Sequence, residues 1–354
     1  MDHFWNNTRV LITGDTGFKG SWLSCILLNL GAKVYGISLE ADDNNKLYNS
    51  LINDDYFKEK IRDNFYSHYD LDIRNESELK SLILKINPEI VFHLAAQPLV
   101  RESYINPKLT WETNVFGTIN VLETIRHFNV CSVVIVTTDK VYENDNRSCG
   151  YKESDQLGGL DPYSSSKASC ELAVSSWRRS FFNENVKIST ARAGNVIGGG
   201  DWAKDRIVPD VIDSLTKNTF LEVRYPNATR PWQHVLEPLF GYMKLAENQL
   251  KGKADFAYNF GPELKDAITV KEIVHKIGKI WGKDVKLQFL ENQPKESSQL
   301  ILDIEKAKKD LDWKPLWNID KTIEITTNWY KDVYFHKSPY KCVKDNINSY
   351  LKYL

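Results

Sequence analysis

The chain has 354 residues, 42% hydrophobic and 26% charged, with a formal net charge of −1. That is ordinary composition for a globular protein large enough for two lobes, and it provides no basic surface for nucleic acid or an anionic membrane. No stretch approaches the roughly 20 apolar residues of a membrane span, and MDHFWNNTRVLITG has no basic region followed by an apolar run, so neither a spanning helix nor a signal peptide is expected.

In chain order, Arg9–Thr13 reads as a buried strand, Ser21–Leu30 as a helix and Lys33–Leu39 as a second strand. The polar stretch Asp42–Asn49 reads as a loop. Leu79–Ile86 follows as a helix, Ile90–Ala95 as a buried strand, Asn114–Phe128 as a helix, and Ser132–Thr137 and Lys187–Ala191 as further strands. Beyond residue 191 the pattern is less regular and richer in Gly, Pro and Trp. Gly198-Gly199-Gly200 and Arg230-Pro231-Trp232 fall in loops, and Val270–Trp281 reads as an amphipathic helix. The five cysteines (Cys25, Cys131, Cys149, Cys170, Cys342) lack CxxC spacing, which favours reduced thiols in a cytoplasmic protein over disulfides or zinc. No clustered His/Cys/Asp set predicts a metal site.

Continuous apolar strands separated by helices predict an α/β protein, a doubly wound parallel Rossmann sheet with a smaller C-terminal α/β substrate-binding lobe. Residues 1–190 with roughly 232–262 are assigned to the dinucleotide-binding domain, and 191–231 with 263–354 to the second lobe. Ligands of such sheets bind at the strand C-terminal ends.

Thr13-Gly14-Asp15-Thr16-Gly17-Phe18-Lys19-Gly20 lies between the first strand and first helix, with spacing G-x-x-G-x-x-G. Glycines there let the backbone turn tightly against a pyrophosphate, whose charge the helix N-terminus stabilises. An acidic ribose ligand is expected about 20 residues later. Glu40, with Ser38 beside it, is the candidate, a solvated loop carboxylate being the alternative. No nearby Arg would hold a 2′-phosphate, which favours NAD over NADP. Asp72 is a candidate adenine contact, with turn capping the alternative.

Tyr163 and Lys167 are four apart on the helix expected after Asp161-Pro162 and share a face. A phenol of pKa about 10 is a poor base at neutral pH, but a nearby ammonium and a positive nicotinamide ring favour the phenolate. Thr138-Asp139-Lys140 adds a hydroxyl, a carboxyl and a second amine at a strand end. These are more acid–base groups than a simple alcohol dehydrogenase needs.

The chain resembles the extended short-chain dehydrogenase/reductase family through TGDTGFKG, HLAAQ (His93–Gln97), TNVFGT (Thr113–Thr118), YSSSK (Tyr163–Lys167) and LDWKP (Leu311–Pro315). GFKGSWLS (Gly17–Ser24), AAQPLVRESY (Ala95–Tyr104), TDKVYEN (Thr138–Asn144), RAGNVIGGGDWAKDRIVPD (Arg192–Asp210) and RPWQHVLEPL (Arg230–Leu239) are similar to the 4,6-dehydratases acting on CDP-sugars. One departure is Asp15, where that subgroup often carries His.

The resemblance implies an NAD-dependent, redox-neutral dehydration of a nucleotide hexose. Carbon 4 is oxidised, water is lost across carbons 5 and 6, and the hydride returns to carbon 6. It places Tyr163 as base at the 4-hydroxyl, Thr138 on that hydroxyl and Lys167 on the ribose, lowering the tyrosine pKa. Asp139 becomes the acid for water loss. Lys140 becomes the base at carbon 5, a substrate-binding ammonium being the alternative. The implied cofactor site includes Gly14, Thr16, Gly17, Phe18, Gly20, Ser38, Glu40, Asp72, Ile73, Ala95, Ala96, Gln97 and Asn114. The implied substrate site takes Gln97, Asn195, Gly200, Asp201, Trp202, Arg206 and Arg230, guanidinium groups suiting a diphosphate. His234 is expected to be structural. A homodimer is the implied assembly. Two other readings remain open: an epimerase or a dehydratase for another nucleotide hexose, and a catalytically silent NAD-binding scaffold.

Overall fold

The computed structural model describes residues 2–128, 130–147, 149–182, 186–289 and 300–354. Among these, seven parallel strands form one sheet: β1 (Arg9–Thr13), β2 (Lys33–Ser38), β3 (Tyr66–Asp70), β4 (Ile90–His93), β5 (Ser132–Val136), β6 (Lys187–Ala193) and β7 (Ala257–Phe260), in the order β7-β6-β5-β4-β1-β2-β3. The register puts Thr13 beside His93 and Ile37, and Val136 beside Ala191. All five residues of β5 are buried, as a sheet covered on both faces requires. One hydrophobic cluster lies on the face carrying Trp22, Tyr242 and Trp313, and a second on the face carrying Leu79, Val121 and Val174.

The helices that position the site are α1 (Phe18–Asn29), α2 (Glu76–Ile86), α3 (Gly117–Ile125), α4 (Pro162–Phe181), α5 (Leu236–Leu250), α6 (Val270–Trp281), α7 (Ile319–Tyr334) and α8 (Pro339–Leu351). The expected helix 114–128 is a π-turn over Glu112–Phe116 followed by α3, which ends at Ile125. The expected loop 42–49 is corrected: a helix spans Lys46–Ile52, because Leu47, Tyr48 and Leu51 form a buried stripe that continues past the polar residues.

Three glycines at 198–200 let this segment pack closely between α1 and α7. The Trp22 indole N–H of α1 donates to the Gly199 carbonyl at 2.9 Å, and a Cβ on Gly199 would come within 1.9 Å of the Trp329 ring of α7. α8 packs beside the helix Asp55–Arg62, where Tyr340 stacks on Tyr56 with ring centroids 4.7 Å apart.

Candidate active site

The glycine-rich turn is held from beneath. Gly14 has φ +81°, and a Cβ there would lie 2.7 Å from the Ala95 amide nitrogen; one on Gly20 would lie 2.1 Å from the Gly14 carbonyl. Glycine is required at both by this close approach. Gly17 caps α1 with no side-chain hydrogen bond and no acidic residue in the first turn. The first-turn amides thus lack a side-chain cap and a competing carboxylate, which suits a pyrophosphate, so the turn fits a dinucleotide.

Asp15 is the turn's interior anchor. It is fully buried, accepting from the Ser38 hydroxyl (2.8 Å), the Tyr66 hydroxyl (2.7 Å) and His68 Nδ1 (2.8 Å). Burial lowers the His68 pKa, but the hydrogen bonds and charges of Asp15 and Asp70 outweigh it and hold it above the ordinary value. The Ser38 hydroxyl, expected at the ribose, is engaged with Asp15. Glu40 is exposed beyond the end of β2. Asp72, expected at adenine, is gripped by Arg74 through side chain and backbone, with Nε at 2.9 Å; this lowers its pKa. Ile73 is buried against Gly117.

At the centre of the edge, the Ala95 amide donates to Thr13 Oγ1 (3.2 Å), and Ala96 is half-buried. Gln97, expected to touch both ligands, spends its side chain inside its own loop. Its Nε2 donates to the Leu99 carbonyl (3.1 Å) and Thr110 Oγ1 (2.8 Å), and its Oε1 accepts from the Leu99 amide (2.6 Å). Asn114 accepts from the Gln97 amide (2.8 Å) and donates to Ser166 of α4 (2.9 Å), tying that loop to the catalytic helix. His93 bridges Thr13 (2.7 Å) and Thr118 (3.0 Å), and burial pulls its pKa down to about 3, so it stays neutral.

α4 starts at Pro162 because Asp161 caps it, accepting from the Ser164 amide (2.9 Å) and hydroxyl (2.6 Å). Tyr163, Lys167 and Glu171 then recur every fourth residue on one face. Glu171 makes a two-point contact with Arg192 of β6 (3.0 and 2.7 Å) and accepts from Thr137 (2.5 Å) and Thr190 (2.7 Å), fixing the helix against the sheet. Lys167 is 5% exposed and donates to the Val136 carbonyl at 3.1 Å; burial lowers its pKa. Burial pushes the Tyr163 phenol up to about 12, with the Thr138 hydrogen bond and the Arg206 charge opposing and Asp139 reinforcing the rise. The lowering expected from Lys167 is therefore absent in the free protein, because desolvation dominates and the ammonium is turned to a carbonyl.

Thr138 donates to Asp139 Oδ1 at 2.9 Å, and Asn195 Nδ2 donates to Oδ2 at 3.1 Å. Asn195, expected in the substrate site, thus lies against Asp139. Lys140 follows in a 3₁₀ turn (Asp139–Val141), half-buried, its amide 3.4 Å from Thr138 Oγ1. Tyr163, Thr138 and Asp139 are together as expected.

The expected substrate residues form a second cluster. Gly200 (φ +84°) packs on Leu47. Asp201 pairs with Arg206 at 3.3 Å, and its carbonyl accepts from Tyr330 (2.5 Å). Trp202 meets Tyr330 edge to face and lies 4.9 Å from the Lys46 ammonium. Arg230 is half-buried in a two-residue strand paired with Ile268-Thr269. His234 is buried between Trp22 and Trp317, with its pKa pulled down to about 3 by burial.

Lys19 is a titratable group of this neighbourhood that sequence reasoning did not single out. Its ammonium donates to the Tyr242 hydroxyl of α5 at 3.3 Å. Burial, then Arg206 and Lys167, pull its pKa down to about 7 against Asp139 and Asp201. The available signal was a lysine in a helix's first turn, where the macrodipole disfavours cations. Among the described residues no group of His, Cys, Asp and Glu could hold a metal ion, and no helix is long and apolar enough to cross a membrane.

A parallel sheet with a glycine-rich turn at one end, Thr138 just past the end of β5, and Tyr163 and Lys167 on α4 defines a dehydrogenase-like dinucleotide-binding scaffold. The chain belongs to the GDP-mannose 4,6 dehydratase family, whose profile matches residues 11–326. It is 43% identical to the CDP-glucose 4,6-dehydratase of Salmonella typhimurium, over 99% of this chain and 98% of that one. Its fold is similar to that of a dTDP-glucose 4,6-dehydratase double mutant from Streptomyces venezuelae with NAD and DAU bound, with TM-score 0.80 and 22% identity over 94% of this chain and 100% of that one. A UDP-glucuronic acid 4-epimerase from Bacillus cereus, in complex with UDP-glucuronic acid and NAD, has TM-score 0.79 and 24% identity over 92% and 99% of the two chains.

Proposed function

We propose that the chain is an NAD-dependent CDP-glucose 4,6-dehydratase producing CDP-4-dehydro-6-deoxy-D-glucose. The observation that carries this reading is the end-to-end likeness to the Salmonella typhimurium enzyme. The burial of Asp139 beside Thr138 and Tyr163 supports it, because elimination needs an acid next to the oxidation centre.

NAD held at the Gly14–Gly20 turn supplies a reversible hydride acceptor for carbon 4 and later a donor for carbon 6. Tyr163 takes the proton of the 4-hydroxyl, which Thr138 orients. Lys167 holds the nicotinamide ribose and adds positive charge to the site. The 4-ketone acidifies the carbon 5 proton, which Lys140 removes and gives back to carbon 5 as hydride reaches carbon 6, while Asp139 protonates the departing 6-hydroxyl so that it leaves as water. Arg206 and Arg230 bind the diphosphate, and Trp202 and Asp201 line the nucleotide-sugar end. Residues 191–231 and 263–354 form the substrate lobe of this enzyme.

The enzyme works in the cytoplasm as a homodimer. Support for the dimer comes from exposed apolar side chains on α4 and the segment packed beside it: Leu109 (39% exposed), Phe116 (58%), Leu172 (62%) and Phe181 (51%). Light scattering on the purified protein should give twice the chain mass.

Purified protein with NAD and CDP-glucose should form the 4-keto product without net NADH accumulation. Absence of product from CDP-, dTDP-, UDP- and GDP-glucose defeats the reading. Tyr163→Phe should retain substrate binding and lose turnover by about 10²–10⁴-fold.

A further inference from the structure

We propose that His68 stands as an imidazolium between Asp15 and Asp70, the counter-charge that lets a buried carboxylate lie inside an anion-binding turn, and that it thereby sets how tightly the turn holds the NAD pyrophosphate. The inference rests on the cofactor part of the dehydratase reading, and no sugar enters it.

A glycine-rich turn that receives a pyrophosphate is a poor place for a carboxylate, because a second negative charge repels the ligand that the amides and helix N-terminus attract. Asp15 nonetheless lies in the turn, between Gly14 and Thr16, and its side chain has no exposure. That side chain rests on the sheet. A Cβ on Gly36 of β2 would come within 1.8 Å of Oδ2, so glycine is required beneath it. The register places His68 of β3 beside Gly36, and the imidazole meets the carboxylate there.

Both ring nitrogens of His68 face carboxylates. Nδ1 lies 2.8 Å from Asp15 Oδ2, and Nε2 lies 3.0 Å from Asp70 Oδ1. A neutral ring has one N–H and would turn a bare lone pair on one of the two; only the imidazolium donates to both. The other groups that face it are uncharged. Tyr66 donates to Asp15 at 2.7 Å, and the Tyr48 ring of the helix Lys46–Ile52 lies 5.3 Å from the imidazole. Burial pushes Tyr48 up to about 12 and Tyr66 well above its ordinary value, so both stay phenols. The helix Asp55–Arg62 meets β3 through Phe57, which packs on Tyr66. Burial opposes the charge on His68, but Asp15 and Asp70 outweigh it and leave the ring more basic than usual.

The pair is wired to the turn through Ser38, whose hydroxyl donates to Asp15 Oδ1 at 2.8 Å and accepts from the Thr16 amide at 3.3 Å. Loss of the His68 proton leaves the Asp15 charge buried beside the pyrophosphate site with no cation against it. It also leaves one N–H to serve two carboxylates. Both effects weaken pyrophosphate binding. NAD affinity is therefore high while His68 is protonated and falls as pH rises through its midpoint. His68 is a positioning residue acting through Asp15.

The test is calorimetric titration of NAD into the purified protein from about pH 5.5 to 9, the range in which a histidine switches. Affinity should fall about tenfold across the His68 midpoint. His68→Asn, which keeps a donor and removes the cation, should bind at the wild-type high-pH level throughout. Adding Asp15→Asn removes the unpaired charge and should restore most of the affinity, again without pH dependence, which loss of packing alone would not do. Lys19→Met should keep the wild-type pH dependence. Affinity that does not vary with pH in the wild type, variation that survives His68→Asn or disappears in Lys19→Met, or a double variant no tighter than the single, overturns the inference. Should the double variant not fold, NMR of the imidazole nitrogens decides: a His68 midpoint at or below the ordinary value of about 6.5 overturns it. The expected affinity pattern in a protein that turns over none of the nucleotide-glucoses refutes the dehydratase reading alone.

Discussion

Replacing Glu171 by Gln removes one charge and little volume from beneath the catalytic helix. The carboxylate and the Arg192 guanidinium are each 4% exposed, so their desolvation is already complete in the folded protein. Glu171 accepts four hydrogen bonds at 2.5–3.0 Å, and Arg192 also donates to Tyr142 at 2.8 Å. An amide leaves the guanidinium unpaired and presents N–H donors to it. Breaking one side of such a buried pair costs about 3–5 kcal/mol, a large share of the ~5–15 kcal/mol typical of folded domains. Urea unfolding followed by tryptophan fluorescence should register that loss. Activity should fall further than stability alone explains, because Tyr163 and Lys167 share the released face. Adding Arg192→Met should recover most of the stability, since no charge is then left unpaired. A loss below about 1 kcal/mol in Glu171→Gln, or a double variant weaker than the single, would refute the reasoning.

Three further outcomes follow from the same structure. Burial pushes Glu237 up to about 7 while it accepts from Tyr350 (2.6 Å) and the Trp317 amide (2.8 Å). With its folded pKa above an unfolded value near 4.3, its contribution is fully present below that value and is lost as pH rises through about 7. The change is on the order of 3 kcal/mol, and melting curves of wild type and Glu237→Gln should converge or cross between pH 5 and 8. Lys19→Met should remove a rate inflection near pH 7, seen by comparing initial rates across pH 5.5–9; an unchanged profile would place that inflection elsewhere. Gly199→Ala should lower stability by about 1–3 kcal/mol through overpacking against Trp329, read from thermal melts.

How much was legible in the sequence depended on whether the signal was local. Val270–Trp281 was read to the residue because Thr269 and Glu272 form a capping box and Gly282 ends the helix at φ +89°. The glycine-rich turn and the Tyr163/Lys167 pair were equally local. β7 was not read as a strand, since its four residues acquire meaning only beside β6. The intramolecular partners of Gln97, Asp72 and Asn195 were hidden for a related reason. Their residue types announce a hydrogen-bonding capacity, but Thr110, Arg74 and Asp139 are the partners that use it. Lys19 was visible in the motif, yet its altered basicity comes from burial and then from Arg206 and Lys167, none of which the local sequence reveals.

The position of β7 also has a consequence for how the protein can be made and divided. The strand that completes the sheet beyond β6 belongs to chain lying after Asn195, Arg206 and Arg230. During synthesis, β6 emerges as an open edge and stays unpaired until residues 257–260 leave the ribosome, an interval in which it can recruit a foreign strand. A cut anywhere between β6 and β7 fixes that exposed edge permanently. Exchanging the chain beyond β6 with that of a relative therefore also exchanges part of the sheet, so point changes disturb the fold less than transplanting that half.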